Sequence, residues 1–410
     1  MSGALSDIRV LDLTRLLPGG FCSLLLADFG AEVLKVEDTG GGDYVRWAPP
    51  YYGADEQQAL GTRSAYYLAL NRGKRSIRID LKSEAGQDAF LRLVREYDVV
   101  LESFRPSVLD RLGVGYERLR EVNPGIVYCA ITGYGQCGPN TGRAGHDTNY
   151  LALNGLLGLT GAPGGPPVQA GGQIADLGGG ALMAAFGVMA ALHERSASGE
   201  GQLVDVSMTD GSLAWLAMVA AKYLCDGVVP KRGENELAGR ILCYFPYEAA
   251  DGWVSCGALE AKFWQAFCRG VEREDLIEKQ FERPGSDAWR EVAEVFRART
   301  REEWRAFNDE HDCCIEPVLD LDEALDSDLV RERQMVVELD QPHLGPVRQL
   351  GVPVKMSRTP GAVDAPAPAL GEHTREVLGE AGFEDEEIEA MIESGTVAGP
   401  TAGSEANFLA

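Results

Sequence analysis

The fold is decided close to the N-terminus, by residues 8–37, which read IRVLDLTRLLPGGFCSLLLADFGAEVLKVE. Two runs, 8–13 and 32–37, are rich in Val, Leu and Ile and have the length of strands. The segment between them begins with a Pro-Gly-Gly break and continues as an apolar helical stretch. A strand, a helix and a second strand of these lengths predict one βαβ unit of a parallel sheet.

Strand and helix patterns keep alternating through the first half of the chain. Further strand-like runs lie at 76–81, 99–101 and 126–131, and apolar residues at helical spacing cover 84–96. Because parallel strands need helical crossovers, this alternation predicts an α/β domain whose sheet is covered by helices on both faces.

Composition suggests where the domains begin and end. A length of 410 residues favours two domains over one. The predicted boundaries are a large domain at 1–225, a small α+β domain at 226–330, a return segment at 331–395 that completes the large domain, and a tail at 396–410. The tail is rich in small and polar residues, so we expect it to fray.

Charge and cysteine content narrow the class of protein. The formal net charge of -25 argues against nucleic acid as a partner, because phosphate binding needs a basic face. The nine cysteines include no C-x-x-C pair, so we expect reduced thiols and no metal site. We see no signal segment and no apolar run long enough to span a bilayer, so we predict a soluble cytoplasmic protein without a membrane partner.

Two stretches thirty residues apart carry the candidate chemistry. His146 lies in the loop Ala144-Gly145-His146-Asp147, and Asp176 directly precedes the run Gly178-Gly179-Gly180. An imidazole and a carboxylate on either side of one carbon can remove a proton from one face and return it on the other. The backbone N–H groups of Asp176, Leu177 and Gly178, at the start of a helix, are predicted to hold an oxyanion. Taken alone, Asp176 also fits a simple helix cap, and His146 a surface histidine bonded to Asp147.

A third acidic group and four basic residues complete the candidate site. Glu260 follows a strand in the predicted small domain and would orient an imidazole, although the pattern alone favours the simpler explanation, a solvated Glu that starts the next helix. The basic residues stand out in an acidic chain and suit a polyanionic small molecule, because arginine binds phosphate through two hydrogen bonds and lysine as a point charge. They are Arg72, Lys74, Arg105 and Arg111.

A series of motifs in the same order resembles the family III CoA-transferases over almost the whole chain. The motifs are Asp28-Phe29-Gly30-Ala31-Glu32-Val33, Asn71-Arg72-Gly73-Lys74-Arg75, Phe104-Arg105-Pro106, Thr132-Gly133-Tyr134-Gly135, Gly201-Gln202-Leu203-Val204-Asp205 and Leu370-Gly371-Glu372-His373-Thr374. The resemblance implies an interlocked homodimer, each subunit having a Rossmann-like large domain and a small domain. It also implies coenzyme A thioesters as substrates, with the basic residues holding the adenine and phosphates of CoA and no separate cofactor.

The resemblance covers two chemistries. In the transferases, the residue matching Asp176 is a nucleophile that forms acyl anhydrides. In the 2-methylacyl-CoA racemases it is one of two bases, and the other is a His in a Gly-His-Asp sequence, matched by His146 and supported by a residue matching Glu260. The resemblance therefore favours racemization through an enolate. A CoA-transferase is the alternative, and a non-catalytic acyl-CoA-binding protein is a more remote one. A nicotinamide dehydrogenase is also remote, because the glycine run at 40–42 lacks the G-x-G-x-x-G spacing of a dinucleotide site.

Overall fold

A computed structural model describes residues 3–53 and 60–400 of the chain. The strands are β1 Arg9–Asp12, β2 Glu32–Glu37, β3 Lys74–Ile79, β4 Val99–Glu102, β5 Val127–Thr132, β6 Leu203–Ser207, β7 Tyr244–Ala249, β8 Gly252–Gly257, β9 Ile315–Pro317, β10 Val336–Gln341, β11 Gly345–Leu350 and β12 Val397–Ala398. The α-helices are Leu16–Asp28, Ala65–Asn71, Glu84–Val94, Val108–Arg111, Tyr116–Val122, Asp147–Leu153, Leu156–Leu159, Met183–Ser198, Met208–Leu213, Ala217–Asp226, Ala261–Gly270, Asp287–Arg297, Arg301–His311, Leu321–Leu325, Asp328–Glu332, Thr374–Glu380 and Asp385–Glu393. Single-turn 3₁₀ segments are Tyr44–Trp47, Ala214–Leu216, Glu236–Ala238 and Glu274–Lys279, and Ile174–Leu182 is π-helical.

The largest sheet has seven strands in the order β12-β3-β2-β1-β4-β5-β6. All neighbours in it run parallel except β12, which lies antiparallel to β3. The order 3-2-1-4-5-6 is that of the Rossmann fold, and it brings the carboxyl ends of β1 and β4 together where the order reverses. The predicted α/β fold with a parallel sheet is confirmed.

Apolar side chains on this sheet explain why its strands are buried. Leu11, Leu34, Ile77 and Val100 are each completely buried, in one cluster with Phe90 of the helix Glu84–Val94. That helix begins at a serine cap, Ser83, whose hydroxyl accepts the N–H of Gly86. Their Val, Leu and Ile residues are the pattern that identified these strands in the sequence, although buried charged residues such as Lys35 and Glu37 interrupt it.

One helical segment contradicts the expectation that no apolar run reaches membrane-spanning length. Ile174–Ser198 has 25 residues, and an 18-residue window within it has a mean hydropathy of 1.6, so the segment is long and apolar enough to cross a bilayer by these measures alone. Its second part, Met183–Ser198, packs against β5 and β6. A helix that covers a sheet needs the same apolar composition as one that spans a membrane. Length and hydropathy therefore do not distinguish a sheet-covering helix from a membrane-spanning one.

The chain divides into two compact units whose limits differ from the predicted domains. The first comprises 1–154, 172–215 and 328–410, and the second 155–171 and 216–327. The second unit therefore takes in 155–171, where Arg232 donates a hydrogen bond to the Gly158 carbonyl at 3.0 Å. The composition of the sequence does not reveal such a long-range bond. For this reason the predicted boundaries had placed 155–171 in the large domain.

The second unit has its own core beside a small antiparallel sheet. The sheet order is β7-β8-β9, and aromatic side chains of the neighbouring helices fill the core. Trp264, Phe267, Phe296 and Trp304 are completely buried, and the rings of Phe267 and Phe296 stack at 5.2 Å. Antiparallel strands with separate helices match the predicted α+β character.

The C-terminal return segment contributes to the first unit in two ways. The strands β10 and β11 form a hairpin of their own and do not join the large sheet. The strand β12 adds to its edge, where Val397 pairs with Ile79, and Thr374 donates to the Ala398 carbonyl at 2.8 Å. Residues 396–399 of the predicted tail are thus paired or bonded, and 401–410 lie outside the described residues.

Candidate active site

A cavity of about 820 Å3 lies at the carboxyl ends of β1, β4, β5 and β6 in the first unit. This is the edge at which open α/β sheets bind ligands. Its charged lining residues are Arg15, Arg105, Arg143, His146 and Asp176, and the remainder is largely apolar. Both bases predicted from the sequence therefore line one cavity, although they lie thirty residues apart in the chain.

Asp176 lies inside the first turn of the π-helical segment Ile174–Leu182 rather than at a helix cap. Gln173 is the residue that precedes the helix. Single π-helical turns are uncommon and occur often at functional sites. Burial, and secondarily the negative charge of Asp147, raises the pKa of Asp176 to about 7. A carboxyl group with this pKa exchanges protons near neutral pH.

His146 precedes the helix Asp147–Leu153 and its side chain is exposed at the wall of the cavity. Its backbone N–H donates to Oδ1 of Asn149 at 3.0 Å, and its carbonyl accepts the Asn149 N–H at 2.8 Å. These two bonds fix the backbone at the start of the helix, so the imidazole is carried on an ordered turn. Residues 142–145 of the loop before it line the same cavity.

Asp147 joins the two segments that carry the bases, a role that the sequence interpretation missed. Its Oδ1 accepts the N–H of Ala175 at 2.6 Å and the N–H of Asp176 at 3.0 Å. The sequence interpretation had paired Asp147 with His146, because adjacent residues were the only partners visible. The one feature of the sequence that could have indicated a role for Asp147 is its position directly after His146 in a Gly-His-Asp run.

The predicted oxyanion site needs correction at its backbone donors. The N–H of Asp176 is taken by Asp147, and the N–H of Leu177 donates to the Gln173 carbonyl at 3.0 Å. Gly178 faces protein, since a Cβ there would lie 2.1 Å from the ring of Trp215. The glycine run therefore permits close helix packing rather than close approach of a ligand. An oxyanion can use the Asp176 N–H only by replacing Asp147 as its acceptor.

Glu260 belongs to the second unit, where it begins the helix Ala261–Gly270 with an exposed side chain. It follows β8, as the sequence analysis expected. Its predicted support of the imidazole of His146 stays a prediction.

Two of the four basic residues assigned to CoA are buried in ion pairs. Arg72 is 3% exposed and donates to both carboxylate oxygens of Asp28, at 2.7 and 3.0 Å, and to the Leu350 carbonyl at 2.6 Å. Lys74 is completely surrounded and binds Asp12, Ser23 and other oxygens. Burial lowers the pKa of Lys74 to about 8. Neither residue lines the two cavities at this edge of the sheet, and both are occupied by buried ion pairs, so these contacts do not support their predicted phosphate role.

The other two basic residues do face open space. Arg105 lines the large cavity, and Arg111 lines a neighbouring cavity of about 350 Å3 at the carboxyl ends of β1 to β4. Arg15 and Phe104 line both cavities, and the guanidinium of Arg15 lies 5.5 Å from the ring centre of Phe104. The sequence interpretation missed Arg15, because a single arginine after a strand carries no signal of its own. The exposed Arg105 and Arg111 thus lie along two adjacent cavities, whereas Arg15 is partly buried and pairs with Asp38 at 2.8 Å.

Replacing Arg72 with alanine is expected to lower the free energy of unfolding by about 3–5 kcal/mol, because the buried Asp28 would keep its charge without a partner. Urea denaturation at neutral pH measures the change. The matched control is Arg375→Ala, since Arg375 pairs with Glu389 at the surface with both side chains more than half exposed. That loss should not exceed about 1 kcal/mol. Equal losses in the two variants would contradict the structural role of Arg72.

Comparison with known proteins gives the family. The family model described as CoA-transferase family III matches residues 5–374. Succinyl-CoA:mesaconate CoA-transferase of Haloarcula marismortui is 37% identical over 398 residues, which covers 93% of this chain and 97% of that protein. Alpha-methylacyl-CoA racemase of Mus musculus is 37% identical over 393 residues, covering 94% and 95%.

A solved structure agrees with the fold. The crystal structure of a CAIB/BAIF family protein from Brucella suis has a TM-score of 0.78 and 30% identity, covering 93% of this chain and 100% of that one. Members with these names are enzymes of two kinds, CoA-transferases and racemases. With a family match over most of its length and relatives similar from end to end, the chain belongs to CoA-transferase family III.

Proposed function

We propose that this protein is an acyl-CoA racemase that inverts the α-carbon of 2-methylacyl-CoA thioesters by two-base proton transfer. The observation that carries the proposal is that His146 and Asp176 line one cavity, while the pKa of Asp176 is raised to about 7. Inversion requires one base to carry a proton while the other has none to give and can accept one. A carboxyl group that titrates near pH 7 can take either state.

In the proposed reaction, the CoA end of the substrate supplies the binding energy. The exposed Arg111 and Lys82 in the smaller cavity and the exposed Arg105 in the larger one offer cations to its phosphates. Binding at this remote end holds the thioester with its α-carbon between the two bases. The apolar remainder of the larger cavity suits an acyl chain.

The proton transfers follow from the two protonation states. Neutral His146 takes the α-proton of one enantiomer, the electron pair moves onto the thioester oxygen as an enolate, and protonated Asp176 returns a proton to the opposite face. For the other enantiomer the carboxylate of Asp176 takes the proton and the imidazolium of His146 returns one. Protein groups perform each step, and coenzyme A takes part only as a portion of the substrate.

A CoA-transferase is the second candidate, because relatives with that name are as similar to this chain as those named racemase. In that reaction the carboxylate of Asp176 attacks the thioester carbonyl, CoA leaves, and an acyl anhydride remains on the enzyme. The transferase route needs Asp176 ionised and makes no use of His146. A site containing both groups is therefore better explained by racemization.

Incubation with a single enantiomer of a 2-methylacyl-CoA in deuterated water tests the proposal. The expected result is loss of optical purity with one deuterium gained at the α-carbon. A parallel sample receives an added carboxylic acid and is analysed for its CoA ester, with hydroxylamine to trap an acyl group on Asp176. Transfer of CoA without α-exchange would contradict the racemase proposal and support the transferase.

The charge of Asp147 is expected to set the pH range of catalysis. In Asp147→Asn the amide oxygen still accepts the N–H of Ala175 and Asp176, but the negative charge that raises the pKa of Asp176 is lost. The pKa of Asp176 should fall while staying above its ordinary value, because burial is the larger cause. In the direction that uses protonated Asp176, the rate should therefore decline at a lower pH than in the wild type.

Initial rates of racemization from pH 5 to 9, measured separately from each enantiomer, report this shift. Asp309→Asn, which removes one exposed carboxylate from a helix of the second unit, controls for net charge. A profile for Asp147→Asn that matches this control would show that Asp147 does not set the pKa of Asp176.

A further inference from the structure

Tyr150 is a buried residue at the cavity wall to which the proposed reaction gives no role. It lies on the helix Asp147–Leu153, one turn after His146, and is 5% exposed. Its hydroxyl donates a hydrogen bond to the Gly145 carbonyl at 2.5 Å. Gly145 directly precedes His146, so this bond ties the loop that carries the imidazole to the helix that follows it.

Two glycines hold the ring of Tyr150 in place. A Cβ on Gly133, after β5, would lie 2.4 Å from the Tyr150 ring, and a Cβ on Gly145 would lie 2.7 Å from it. The ring of Tyr134 completes the contact, edge to face with Tyr150 at a centroid distance of 5.2 Å. The phenol is therefore packed between two backbone segments with its hydroxyl directed at one carbonyl.

Tyr150 is also close to the second base. Burial and then the charge of Asp176 raise the pKa of the Tyr150 hydroxyl. The hydroxyl consequently remains a donor throughout the pH range in which Asp176 titrates. Because its hydrogen is used by the Gly145 carbonyl, Tyr150 is not available as an acid for the substrate.

We propose that Tyr150 is a positioning residue that sets the location of His146 by holding the Gly145 carbonyl. The inference rests on the proposed role of His146 as one of two bases. Asp176 is held by a bond in which the Tyr150 hydroxyl takes no part, from its backbone N–H to the carboxylate of Asp147 at the start of the helix Asp147–Leu153. Loss of the Tyr150 hydroxyl should therefore affect the two bases unequally, which general destabilisation would not do.

Tyr150→Phe removes only the hydroxyl and tests this asymmetry. The measurement is the initial rate of deuterium uptake at the α-carbon, taken separately for the two enantiomers of a 2-methylacyl-CoA. Uptake by the enantiomer whose proton faces His146 should fall about 10- to 100-fold, as expected for a misplaced base, and uptake at the other face should fall less than about threefold. The faces are assigned with His146→Ala and Asp176→Asn, since each leaves one base in place.

Tyr247→Phe is the matched control. Tyr247 is a buried tyrosine of the second unit whose hydroxyl donates to the Leu242 carbonyl at 2.7 Å, again five residues earlier in the chain. Tyr247→Phe removes the same kind of hydrogen bond at a position about one hundred residues after His146. The ratio of its deuterium-uptake rates for the two enantiomers should be the same as in the wild type. Gly145→Ala, which forces a Cβ against Tyr150 and Tyr134, should reproduce the asymmetry of Tyr150→Phe.

Amide hydrogen exchange read by mass spectrometry tests the same inference without turnover. The N–H groups of His146, Asn149 and Tyr150 are bonded within this turn, so peptides covering 142–150 should exchange faster in Tyr150→Phe and remain unchanged in Tyr247→Phe. Equal losses at both faces, or unchanged amide exchange, would overturn the positioning role. If the wild type takes up no deuterium at the α-carbon, the proposed function fails, and the amide measurement alone then decides whether Tyr150 holds the loop.

Discussion

An Asp176→Asn variant is expected to lose racemization by about 10²- to 10⁴-fold, the range typical of removing a general acid–base group. Asparagine has nearly the same size and can keep the backbone bonds of the π-helical turn, but it neither releases nor accepts a proton at the α-carbon. Both directions should be slow, because Asp176 acts as a base for one enantiomer and as an acid for the other. Optical rotation of the product and deuterium uptake measure the two effects independently.

Binding and stability show whether this loss is chemical. Asp176 does not line the smaller cavity, so the dissociation constant of free CoA should change less than about threefold. The pKa of Asp176 in the folded chain is raised, so ionisation costs folding free energy as the pH rises from the ordinary aspartate range to about 7. The asparagine variant avoids this cost, so its free energy of unfolding at pH 8 should be at least as high as that of the wild type. Retained racemization would contradict the assignment of Asp176.

A His146→Ala variant is expected to lose racemization to a similar extent while keeping its fold and its binding of CoA. The imidazole is exposed, and the bonds to Asn149 that order its turn come from the backbone of His146. Truncation therefore removes one base without disturbing the turn. Deuterium uptake should persist only for the enantiomer whose proton faces Asp176, so exchange without inversion is the expected signature.

The same variant separates the two chemistries of the family. A CoA-transferase that uses only Asp176 would retain transfer activity in His146→Ala, whereas a racemase would lose inversion. His193→Ala is the matched control, since His193 is another exposed histidine that does not line the cavity. If His146→Ala and His193→Ala inverted the substrate at equal rates, the two-base proposal would fail.

The parallel sheet was predictable because its strands are buried on both faces. Runs such as 8–13 and 32–37 indicate this through their Val, Leu and Ile residues, and the loops that follow them must meet at one edge of the sheet. The unit boundaries were not predictable in the same way. Residues 155–171 join the second unit through contacts with residues more than sixty positions away, as in the bond from Arg232 to Gly158.

The basic loop at 71–75 shows where reading charge along the sequence fails. Arg72 and Lys74 interrupt an acidic chain, which favoured a phosphate site, but each is buried against an aspartate distant in sequence. A charge that is buried and paired is indistinguishable in sequence from one that faces solvent, because its partner can lie anywhere in the chain. Arg15, which does line both cavities, gave no pattern at all.

The sequence by itself determined the α/β class, the family resemblance and the two candidate bases, because strand periodicity and motif order are local properties. Only the tertiary structure decided that His146 and Asp176 line one cavity, that Asp147 connects them and occupies the N–H of Asp176, and which arginines face open space. These facts depend on burial and on contacts between distant segments. The raised pKa of Asp176 has the same origin, since desolvation exists only once the chain has folded around the carboxyl group.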